Sequence, residues 1–409
     1  MLLYDVIVVG AGPVGMTAAA ALAHAGFSVA LIDRQARSVN ASSQESSSPT
    51  KWFALGHDVL SWMATWGWHF SYQPLKTIQL SCHDPVADTM SPESIVLQAC
   101  DVPVSALAGV ISQHDLHRAM HSTLNSRIDV YAPDEIKVWH NQGDSWRVQL
   151  ASGVWLTTLA IIGADGKQSN TRQHINPLHV SYTFPQTATV FQASGIPEGW
   201  AYEHFFPHGS LALLSTHSLH GVGHGVGIWI HDHPLTDTSL LQRFSPVPIT
   251  PTSTWSHFPV HGLWTEKPSL SRCVLVGDAA HIIHPIAGQG LNLGLRHVKS
   301  VVDLMTQRHA MGLDWGLGWH DMHVQWATQA LSLHMGTTAV YGMFCGSQAP
   351  FWWRLSTLAL SMPWMRKGLL RWAGGQSIWE TLWTFLAKGA NALHSHPSAG
   401  MPPPPLPPL

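Results

Sequence analysis

Three glycine-containing segments hold most of the residues whose types and spacing could do chemistry. They are Gly10-Ala11-Gly12-Pro13-Val14-Gly15, the Asp165-Gly166 pair, and Gly277-Asp278 with the run that continues from Pro285 to Asn292. Glycine lets a pyrophosphate approach the backbone closely, and a carboxylate near such a turn can accept hydrogen bonds from sugar hydroxyls. The three segments therefore predict a bound dinucleotide, which would carry the chemistry while the protein orients it.

The first segment lies between two runs of different character. The apolar run over residues 5–9 predicts a buried parallel strand, and the alanine-rich run over 16–25 predicts a helix whose first N–H groups face phosphates. In the turn between them, Gly10 permits a tight bend, Gly12 the approach of a pyrophosphate and Gly15 close packing of helix on strand. This segment predicts the first βαβ unit of a dinucleotide-binding fold.

A second apolar strand, over residues 28–32, ends at Asp33. A carboxylate at that position can accept hydrogen bonds from the ribose hydroxyls of the same ligand. The alternative is a signal peptide or a membrane span over residues 2–23. It is disfavoured because no Lys or Arg precedes the apolar run and the glycines fall where a phosphate turn needs them.

The third segment indicates a ligand more specifically than the second. A buried strand ends at Gly277-Asp278, so its carboxylate reaches the edge of the sheet where α/β proteins bind ligands. The turn over 285–290 precedes a helix starting near Leu291 and exposes N–H groups to an electron-rich ring or a phosphate. The Asp165-Gly166 turn follows a strand over 159–163 and, taken alone, is more typical of a structural turn.

Composition excludes several classes of function. The 409 residues are enough for two or three structural units, and a net charge of −3 gives no reason to expect nucleic acid. The four cysteines, Cys82, Cys100, Cys273 and Cys345, show no CxxC pairing, which disfavours a zinc site or disulfides and fits a reducing compartment. The histidine pairs at 231/233 and 394/396 lack a third ligand at helical spacing, so no metal is predicted.

Hydrophobic periodicity predicts most of the remaining elements. We expect helices over 51–68 and 112–124, the latter capped by Ser112, and mostly helix beyond Leu291. Residues 180–265 are β-rich, and Gly221 to Gly227 within them predict a strand and not a second nucleotide loop. Trp66 and Trp68 are interpreted as packing residues. The strands expected elsewhere lie at 79–96 (two short strands), 128–131, 136–140, 146–150, 154–156 and 159–163.

The C-terminal third combines tryptophans with basic residues. Trp352, Trp353, Trp364 and Trp372 are interleaved with Arg354, Arg366, Lys367 and Arg371. No apolar run reaches a membrane-spanning length. Two interpretations remain open, a basic amphipathic helix in a membrane interface and an ordinary buried helical layer. The proline-rich residues 401–409 predict a disordered polyproline tail.

In order and spacing, the three segments resemble those of the class A FAD-dependent aromatic hydroxylases. The run from His281 to Arg296 is similar to the signature of the ubiquinone-biosynthesis hydroxylases of the 2-polyprenylphenol type, and the resemblance covers residues 3–375. It implies an α/β (α+β) fold, with a Rossmann-like FAD-binding domain, an inserted β-sheet substrate domain and a C-terminal helical segment. The implied boundaries are 1–75, 100–180 and 270–330 for the FAD-binding domain, 76–99 and 181–269 for the substrate domain, 331–395 for the helical segment and 396–409 for a disordered tail.

The resemblance also implies a role for each motif residue. The glycines of the first turn line the pyrophosphate, Asp33 binds the adenosine ribose, Asp278 binds the ribityl chain, and the backbone of Pro285 lies near the oxygen-reacting face of the flavin. No catalytic base is assigned, because His281, His284 and His297 could each simply hydrogen-bond a loop. The residues expected to bind the cofactor are Gly10, Gly12, Pro13, Val14, Gly15, Asp33, Arg34, Lys51, Gln113, Asp165, Gly277, Asp278, Pro285, Gly288, Gln289, Gly290, Leu291 and Asn292.

Two positions depart from the family pattern. Pro49-Thr50-Lys51 stands where an Asp-x-Arg triplet is usual, and His297 occupies part of an Arg-Asp-Val site. Lys51 supplies a positive charge but not the planar, two-pronged contact of an arginine. These departures concern donor binding and flavin positioning.

The implied activity is that of an FAD-dependent monooxygenase that uses NAD(P)H and O₂ to hydroxylate the aromatic ring of a polyprenylated ubiquinone precursor. The expected location is the cytoplasm, peripherally associated with the inner membrane, with other ubiquinone-biosynthesis proteins as possible partners. Two alternatives stay open at this point. They are hydroxylation of a soluble aromatic compound, and a non-catalytic FAD-binding assembly subunit.

Overall fold

The computed structural model describes residues 2–35, 51–68, 70–84, 88–122, 127–216, 223–346 and 348–374. Strands and helices of these residues are numbered in chain order. The strands are β1 (Leu2–Val9), β2 (Val29–Ile32), β3 (Trp52–Gly56), β4 (Gln73–Leu75), β5 (Thr77–Asp84), β6 (Thr89–Met90), β7 (Ile95–Gln98), β8 (Ala108–Ser112), β9 (Ile128–Tyr131), β10 (Ile136–Asn141), β11 (Trp146–Leu150), β12 (Trp155–Gly163), β13 (His179–Ser194), β14 (Trp200–Phe206), β15 (Gly209–Thr216), β16 (His224–His231), β17 (Thr250–Pro251), β18 (Ser256–Thr265), β19 (Ser269–Leu270) and β20 (Cys273–Leu275).

The α-helices occur singly between strands until residue 289 and dominate the described chain after it. They are α1 (Pro13–His24), α2 (His57–Ala64), α3 (Gln113–Ser122), α4 (Asn170–Ile175), α5 (Thr238–Phe244), α6 (Gln289–Ala310), α7 (His320–Phe344), α8 (Ala349–Leu360) and α9 (Pro363–Ala373). Short 3₁₀ turns at Gly277–Ala279 and Ile286–Gly288 lie between β20 and α6.

The first sheet contains the dinucleotide-type βαβ unit. Its strand order is β10-β11-β12-β1-β2-β9, and β20 pairs with β12. The strands β12, β1, β2 and β9 run parallel, so their carboxyl ends meet at one edge. Their apolar residues are buried on both faces, and α1 and α6 cover one of them. This is the arrangement expected of parallel strands joined by helical crossovers.

The second sheet is built from strands between residues 77 and 98 and between 179 and 265. Its order is β17-β13-β16-β15-β14-β5-β6, with β18 paired to β13 and β7 paired to β5. The third sheet is small, with the order β3-β8-β4. A Rossmann-like sheet, a second β-layer and C-terminal helices together confirm the predicted fold class.

The prediction of one helix over 51–68 is wrong in its first part. Residues 52–56 form β3, which pairs antiparallel with β8, and the helix begins only at His57. The pairing with residues 108–112 overrides a local spacing that fits a helix, because tertiary partners outweigh periodicity over so short a run. The strands expected at 154–156 and 159–163 are likewise one strand, β12, because its first half pairs with β11 and its second half with β20.

Other predicted elements are confirmed. Ser112 caps α3, because its Oγ accepts a hydrogen bond from the Asp115 N–H at 3.0 Å. Trp66 packs edge-on against Trp62 and Trp68, with ring centroids 4.2 and 5.1 Å apart. Residues 224–227 lie in β16, as expected of a glycine-rich strand. Helix α6 begins at Gln289, two residues before the expected start.

Several predictions fall outside the described residues. These are residues 123–124 of the predicted helix, Gly221 and Val222, residues 375–395 of the C-terminal helical segment, and the tail over 396–409. The domain boundaries stay a prediction. In this fold, the edge of the first sheet, the 3₁₀ turns before α6 and one face of the second sheet lie close to one another.

Candidate cofactor site

The first glycine turn is shaped by close approach of three backbone segments. A Cβ on Gly15 would lie 1.8 Å from the carbonyl oxygen of Gly10, and a Cβ on Gly10 would lie 2.5 Å from the carbonyl oxygen of Ala164. Neither position therefore accepts a side chain without a shift of the backbone. Gly12 differs, because a Cβ there would meet no protein atom within 4 Å. The turn is tight where it packs and open at the N-terminus of α1, as binding of a pyrophosphate requires.

Asp33 lies at the carboxyl end of β2 and is tied to this turn. Its Oδ2 accepts a hydrogen bond from the Ala11 N–H at 2.6 Å, and its Oδ1 accepts one from the Gln35 N–H at 2.7 Å. The carboxylate therefore holds the turn in shape. Asp33 and the exposed Arg34 also line a cleft of about 200 Å³, together with Gly10, Gly12 and Gly166. The cleft occupies the edge where strands of an open α/β sheet bind ligands.

Asp278 presents a carboxylate with no hydrogen-bond partner among the described residues. The side chain is exposed, yet protein surrounds it on its remaining sides. This burial raises the pKa of the carboxyl above its ordinary value, and the positive charges of Lys51 and Lys167 act in the opposite direction. The sequence placed Asp278 and Lys51 in one site, and the structure brings them near each other. It adds Lys167, which follows Gly166 and was given no role.

Lys51 is exposed at the start of β3. Its Nζ lies 5.8 Å from the centroid of the Phe258 ring, and its carbonyl oxygen accepts a hydrogen bond from the Gln113 N–H at 2.7 Å. The predicted site residues Lys51 and Gln113 are thus neighbours through the backbone. A mobile ammonium over an aromatic face is a weak contact. Lys51 therefore remains available to a ligand.

Val14 and Gly277 meet where α1, the turn after β20 and α6 converge. A Cβ on Gly294 would lie 2.9 Å from the Gly277 Cα and 2.9 Å from Val14 Cγ2. Gly277 has a φ of +61°, and its N–H donates to His297 Nδ1 at 3.4 Å. Val14 and Gly277 therefore set the position of the Asp278 carboxylate through packing.

The turn before α6 has an accessible backbone, and it is followed by a buried side chain that hydrogen-bonds the helix to β3. Gly288 caps α6 with a φ of +59°, and a Cβ on Gly290 would meet no protein atom within 4 Å. The Asn292 side chain donates to the Ala54 carbonyl oxygen at 2.8 Å and accepts from the Gly56 N–H at 2.8 Å. The Asn292 side chain thus joins α6 to β3, and the expected contact of Asn292 with the cofactor stays a prediction.

The other predicted side chains of this turn are those of Pro285, Gln289 and Leu291. Pro285 is half-buried at the start of the 3₁₀ turn. The Gln289 Oε1 accepts from Arg296 Nη1 at 3.4 Å, and Leu291 packs against the core of the first sheet. The backbone of this turn, and not its side chains, is what the site offers to a ligand.

Asp165 is used within the protein. Its Oδ1 accepts from Ser169 Oγ at 2.5 Å, and its Oδ2 accepts from the Thr171 N–H at 3.0 Å. Arg172 donates to the Ala279 carbonyl oxygen at 2.9 Å and to the Lys167 carbonyl oxygen at 2.6 Å. The second signature thus joins the turn after β12 to the turn that carries Asp278. The Asp165 carboxylate has its partners in the chain, although the residue lines the same cleft as Asp33.

The histidines beside the α6 turn are buried and uncharged at neutral pH. Burial lowers the pKa of His281 and of His284 to about 4, and it lowers the pKa of His297 well below its ordinary value. His297 stacks on Trp326 with ring centroids 4.4 Å apart, so this departure from the family pattern is a packing residue. Weak bases of this kind have little tendency to take a proton from a substrate. Among the residues that the structure describes, no group of three or more His, Cys, Asp or Glu side chains is placed to hold a metal ion.

Comparison with known proteins agrees with this geometry. A family model described as FAD dependent oxidoreductase matches residues 5–90, and one described as FAD binding domain matches residues 235–307. The 3-demethoxyubiquinol 3-hydroxylase of Escherichia coli (strain K12) is 25% identical over 336 residues, which cover 76% of this chain and 82% of that protein. The ubiquinone hydroxylase UbiL of Rhodospirillum rubrum is 27% identical over 346 residues, which cover 76% of this chain and 74% of that protein.

A solved structure supports the fold. The p-nitrophenol 4-monooxygenase PnpA of Pseudomonas putida DLL-E4 has a TM-score of 0.71 and 15% identity, covering 91% of this chain and 99% of that one. At this identity the likeness concerns the fold alone. The open glycines at positions 12 and 290 and the unpartnered Asp278 carboxylate fit an extended dinucleotide. The resemblance predicted from the sequence is thus confirmed: the chain is an FAD-dependent monooxygenase similar to the ubiquinone hydroxylases.

Proposed function

We propose that the protein uses NAD(P)H and O₂ to hydroxylate the aromatic ring of a polyprenylated ubiquinone precursor. The observation that carries this proposal is the similarity to hydroxylases named for ubiquinone compounds, which spans about three quarters of the chain. The geometry of the cofactor turns supports it, because they offer backbone N–H groups and a free carboxylate at the same edge of the sheet.

Different residues of the site would bind different parts of FAD. The N-terminus of α1 with Gly12 would receive the pyrophosphate, the cleft beside Asp33 and Arg34 would receive the adenosine, and Asp278 would accept hydrogen bonds from the ribityl hydroxyls. Bound FAD would supply the redox chemistry with O₂. The chain itself would orient the ring and exclude water.

Charges around the site fit an electron-rich, anionic reaction centre. Lys51 and Lys167 provide positive potential near Asp278, whereas His281 and His284 stay neutral beside the α6 turn. Neutral, tightly packed imidazoles add polarity without competing for protons. In this arrangement, Lys51 would attract the nicotinamide donor or orient the flavin.

We propose in addition that α8 and α9 lie on an anionic membrane surface. Among the described residues no helix combines the length and the apolar character needed to cross a bilayer. Phe351, Leu355 and Leu358 recur on one face of α8 and are 63%, 48% and 65% exposed. Met362 and Trp364 extend this surface, which we call the α8–α9 surface, into α9. Exposed apolar area of this kind, next to basic residues, is typical of interfacial helices.

Only part of the predicted tryptophan set belongs to the α8–α9 surface. Trp364 is exposed, but Trp353 is buried and its Nε1 donates to the Glu93 carbonyl oxygen at 3.1 Å. Trp372 packs against Gly336 of α7. Arg366 faces Asp101 at 3.9 Å, so its charge is partly compensated. The buried-layer interpretation therefore fits Trp353 and Trp372, and we restrict the proposed interface to the exposed residues of the α8–α9 surface.

Profiling of quinone intermediates in a strain that lacks the gene tests the proposed function. The expected result is a fall in ubiquinone and accumulation of a prenylated ring that lacks one hydroxyl group, reversed by the wild-type gene. The purified enzyme should then convert the accumulated compound with uptake of NAD(P)H and O₂. An unchanged quinone pool together with turnover of a water-soluble phenol would support the soluble-aromatic alternative instead.

A further inference from the structure

A buried glutamate lies in the middle of the second sheet, on the face that looks toward the α6 turn. Glu203 belongs to β14, and its partners in register are Leu80 of β5 and Ala212 of β15. Ala201 and Phe205, two positions to either side, share its face because side chains alternate along a strand. Only 8% of Glu203 is exposed.

The neighbours of Glu203 connect this face to the cofactor turns. Ala201 belongs to an apolar cluster with Val110 of β8 and Ala54 of β3, and a Cβ on Gly288 would lie 4.0 Å from the Ala54 Cβ. Ile228 of β16 is the cross-strand partner of Ala212, and it belongs to a cluster with Ile286 of the turn before α6. Glu203 therefore lies between two clusters that both reach the turn expected to face the flavin.

A third cluster closes the site on the remaining side. Phe205 packs against Phe344 with ring centroids 5.2 Å apart, in a cluster that also contains Trp353 of α8. Ala201 and Phe205, which flank the buried Glu203 on this face, thus pack against apolar groups from β3, β8, α7 and α8. An enclosed site that excludes water is what oxygen transfer to a reactive ring requires.

Three polar atoms on this face make no hydrogen bond of good geometry among the described residues, although the Ser210 hydroxyl lies near Glu203 and the Gln186 amide near Tyr341. They are Glu203 Oε1, Ser210 Oγ and Gln186 Oε1, and all three residues are at least nine-tenths buried. Ser210 is two residues from Ala212 on β15, so it lies on the same face as Ala212 and Glu203. Gln186 is two residues before Ala188 on β13, and Ala188 pairs with Ile230 on that face. A folded protein rarely leaves buried polar atoms unpaired, and groups of them mark places where a ligand completes the bonding.

We propose that Glu203 is the catalytic acceptor for the phenolic hydroxyl of the substrate, with Ser210 and Gln186 orienting the ring. This inference rests on the proposed function and names the group that recognises the ring. Substrate bound between the α6 turn and the second sheet donates its O–H to Glu203 Oε1. The O–H bond breaks, the proton moves to the carboxylate, and the electron pair stays on the ring oxygen.

Loss of this proton leaves a negative charge on the ring oxygen. The charge makes the ortho carbon, adjacent to the carbon that bears this oxygen, a better nucleophile. That carbon forms a bond to the oxygen atom delivered from O₂, and NAD(P)H supplies the two electrons that reduce the second oxygen atom to water. The hydroxylated carbon then loses its proton to solvent, and Glu203 returns the first proton to the ring oxygen. The carboxylate is regenerated at the end of each cycle.

The electrostatic surroundings of Glu203 suit a proton acceptor near neutral pH. Burial raises the pKa of its carboxyl to about 7, and the Ser210 hydroxyl acts in the opposite direction. The titratable groups that face it are the thiols of Cys82 and Cys345, and burial raises the pKa of both, that of Cys82 to about 12. Tyr341, from α7, also has a pKa raised by burial to about 12. All three are neutral at pH 7.

The test compares Glu203→Gln with Glu198→Gln, a matched control because Glu198 is exposed just before β14. Both variants are purified with FAD and supplied with NADH and 2-geranylphenol as the probe. We expect Glu203→Gln to lower the hydroxylation rate at least about 100-fold, the size of effect typical of a lost acid–base group. The ionisation step near pH 7 in the wild-type rate profile should disappear as well. FAD content and melting temperature establish that each variant is folded.

A binding measurement separates this inference from the proposed function. Wild-type protein should bind 2-geranylphenol at least tenfold more tightly than its methyl ether, read from the flavin absorbance, and Glu203→Leu should abolish this preference. Wild-type turnover that survives in Glu203→Gln with its pH step intact would overturn the inference, as would equal binding of phenol and ether. NADH oxidation by wild type without any hydroxylated product would instead contradict the proposed function, while the binding preference would still decide the role of Glu203.

Discussion

Asp278 and the lysines near it form an electrostatic group that no single segment of the chain contains. The carboxylate follows β20, Lys51 immediately precedes β3 and Lys167 follows β12. Burial favours the neutral form of Asp278, and the two ammonium groups favour the charged form. A carboxylate balanced in this way can accept hydrogen bonds from sugar hydroxyls. It would also repel a ligand that brings negative charge too close.

The first prediction concerns Asp278→Ala. Wild-type protein should carry about one FAD per chain, and the variant should bind FAD more weakly by about 1–3 kcal/mol because a hydrogen-bonded carboxylate is lost. Titration of apoprotein with FAD, followed by flavin fluorescence, measures the change. Asp303→Ala is the control, because Asp303 is exposed on α6 and pairs only with Lys299 at the surface. Equal affinities for wild type and Asp278→Ala would show that the carboxylate does not touch the ribityl chain.

The second prediction concerns Lys51. Lys51→Ala should slow reduction of the bound flavin by NAD(P)H more than it weakens FAD binding, because the nearest contacts of the ammonium leave its charge free for a ligand. Lys51→Arg keeps the charge and should be tolerated. Stopped-flow reduction is the measurement, with the exposed Lys267→Ala as control. A Lys51→Ala rate equal to that of wild type would assign Lys51 to the solvated surface.

At the scale of elements, the start of α6 and strand β3 behave as one unit. Asn292 is buried, and it bonds to Ala54 and Gly56 of β3 as well as to the Gly288 carbonyl oxygen at 3.2 Å. The strand begins directly after Lys51, and the helix begins after the turn that faces the expected flavin position. Any displacement of one is therefore transmitted to the other through a single amide side chain.

The third prediction follows from that fastening. Asn292→Ala leaves the Ala54 carbonyl oxygen and the Gly56 N–H without their partner, and it should lower the free energy of unfolding by about 2–4 kcal/mol. Asn292→Asp retains the acceptor for Gly56 and should lose less. Urea unfolding of the apoprotein gives both values. The control is Gln325→Ala, at an exposed position of α7. A loss no larger than that of the control would mean that the two elements hold together without Asn292.

The fourth prediction concerns the α8–α9 surface. Wild-type protein should float with vesicles that contain anionic lipid, and Leu358→Ser combined with Trp364→Ser should reduce the floated fraction at least about fivefold, because apolar area drives interfacial binding. Leu178→Ser is the control, because Leu178 is 70% exposed but lies outside these helices. Added salt should also release the wild type. Equal flotation of wild type and the double variant would show that the α8–α9 surface does not bind the membrane.

Elements encoded by local spacing could be predicted from the sequence. The βαβ unit around Gly10 and the turn after β20 were placed correctly because their signals are contiguous. The strand over 52–56 was missed because its pairing partner, β8, lies about fifty residues further along the chain. Asp165 could not be assigned from sequence, since Ser169 and Thr171 decide what its carboxylate contacts. Glu203 left no local signal, because only the register of β14 turns it toward the α6 turn.

Across the whole molecule, buried neutral histidines link stability to pH. His281 and His284 have pKa values lowered to about 4, and the pKa of His297 and of His334 is also lowered, in every case mainly by burial. An unfolded chain binds protons at these sites near pH 6.5. Their contribution is therefore fully present above pH 6.5 and is lost as the pH falls toward 4.

The fifth prediction is a fall of about 2–4 kcal/mol in the free energy of unfolding between pH 7.5 and pH 5.5. The raised pKa of Glu203 acts in the opposite direction over part of this range and limits the fall. His297→Phe preserves the stack on Trp326 and should reduce the pH dependence. Urea unfolding at both pH values is the measurement. Equal stability at pH 7.5 and 5.5 would contradict the burial of these imidazoles in neutral form.

The packing of Val14 on Gly277 and Gly294 also sets when, during synthesis, the cofactor groove can exist. The Gly56 and Asn292 groups that bond across the start of α6 are 236 positions apart. At typical elongation rates the ribosome needs on the order of tens of seconds to make that length of chain. For most of this interval α1 has α3 but not α6 as a packing partner, so the part of its apolar face that α6 covers is exposed to nascent-chain chaperones. FAD can therefore be captured only late, after α6 has emerged and closed over the first helix.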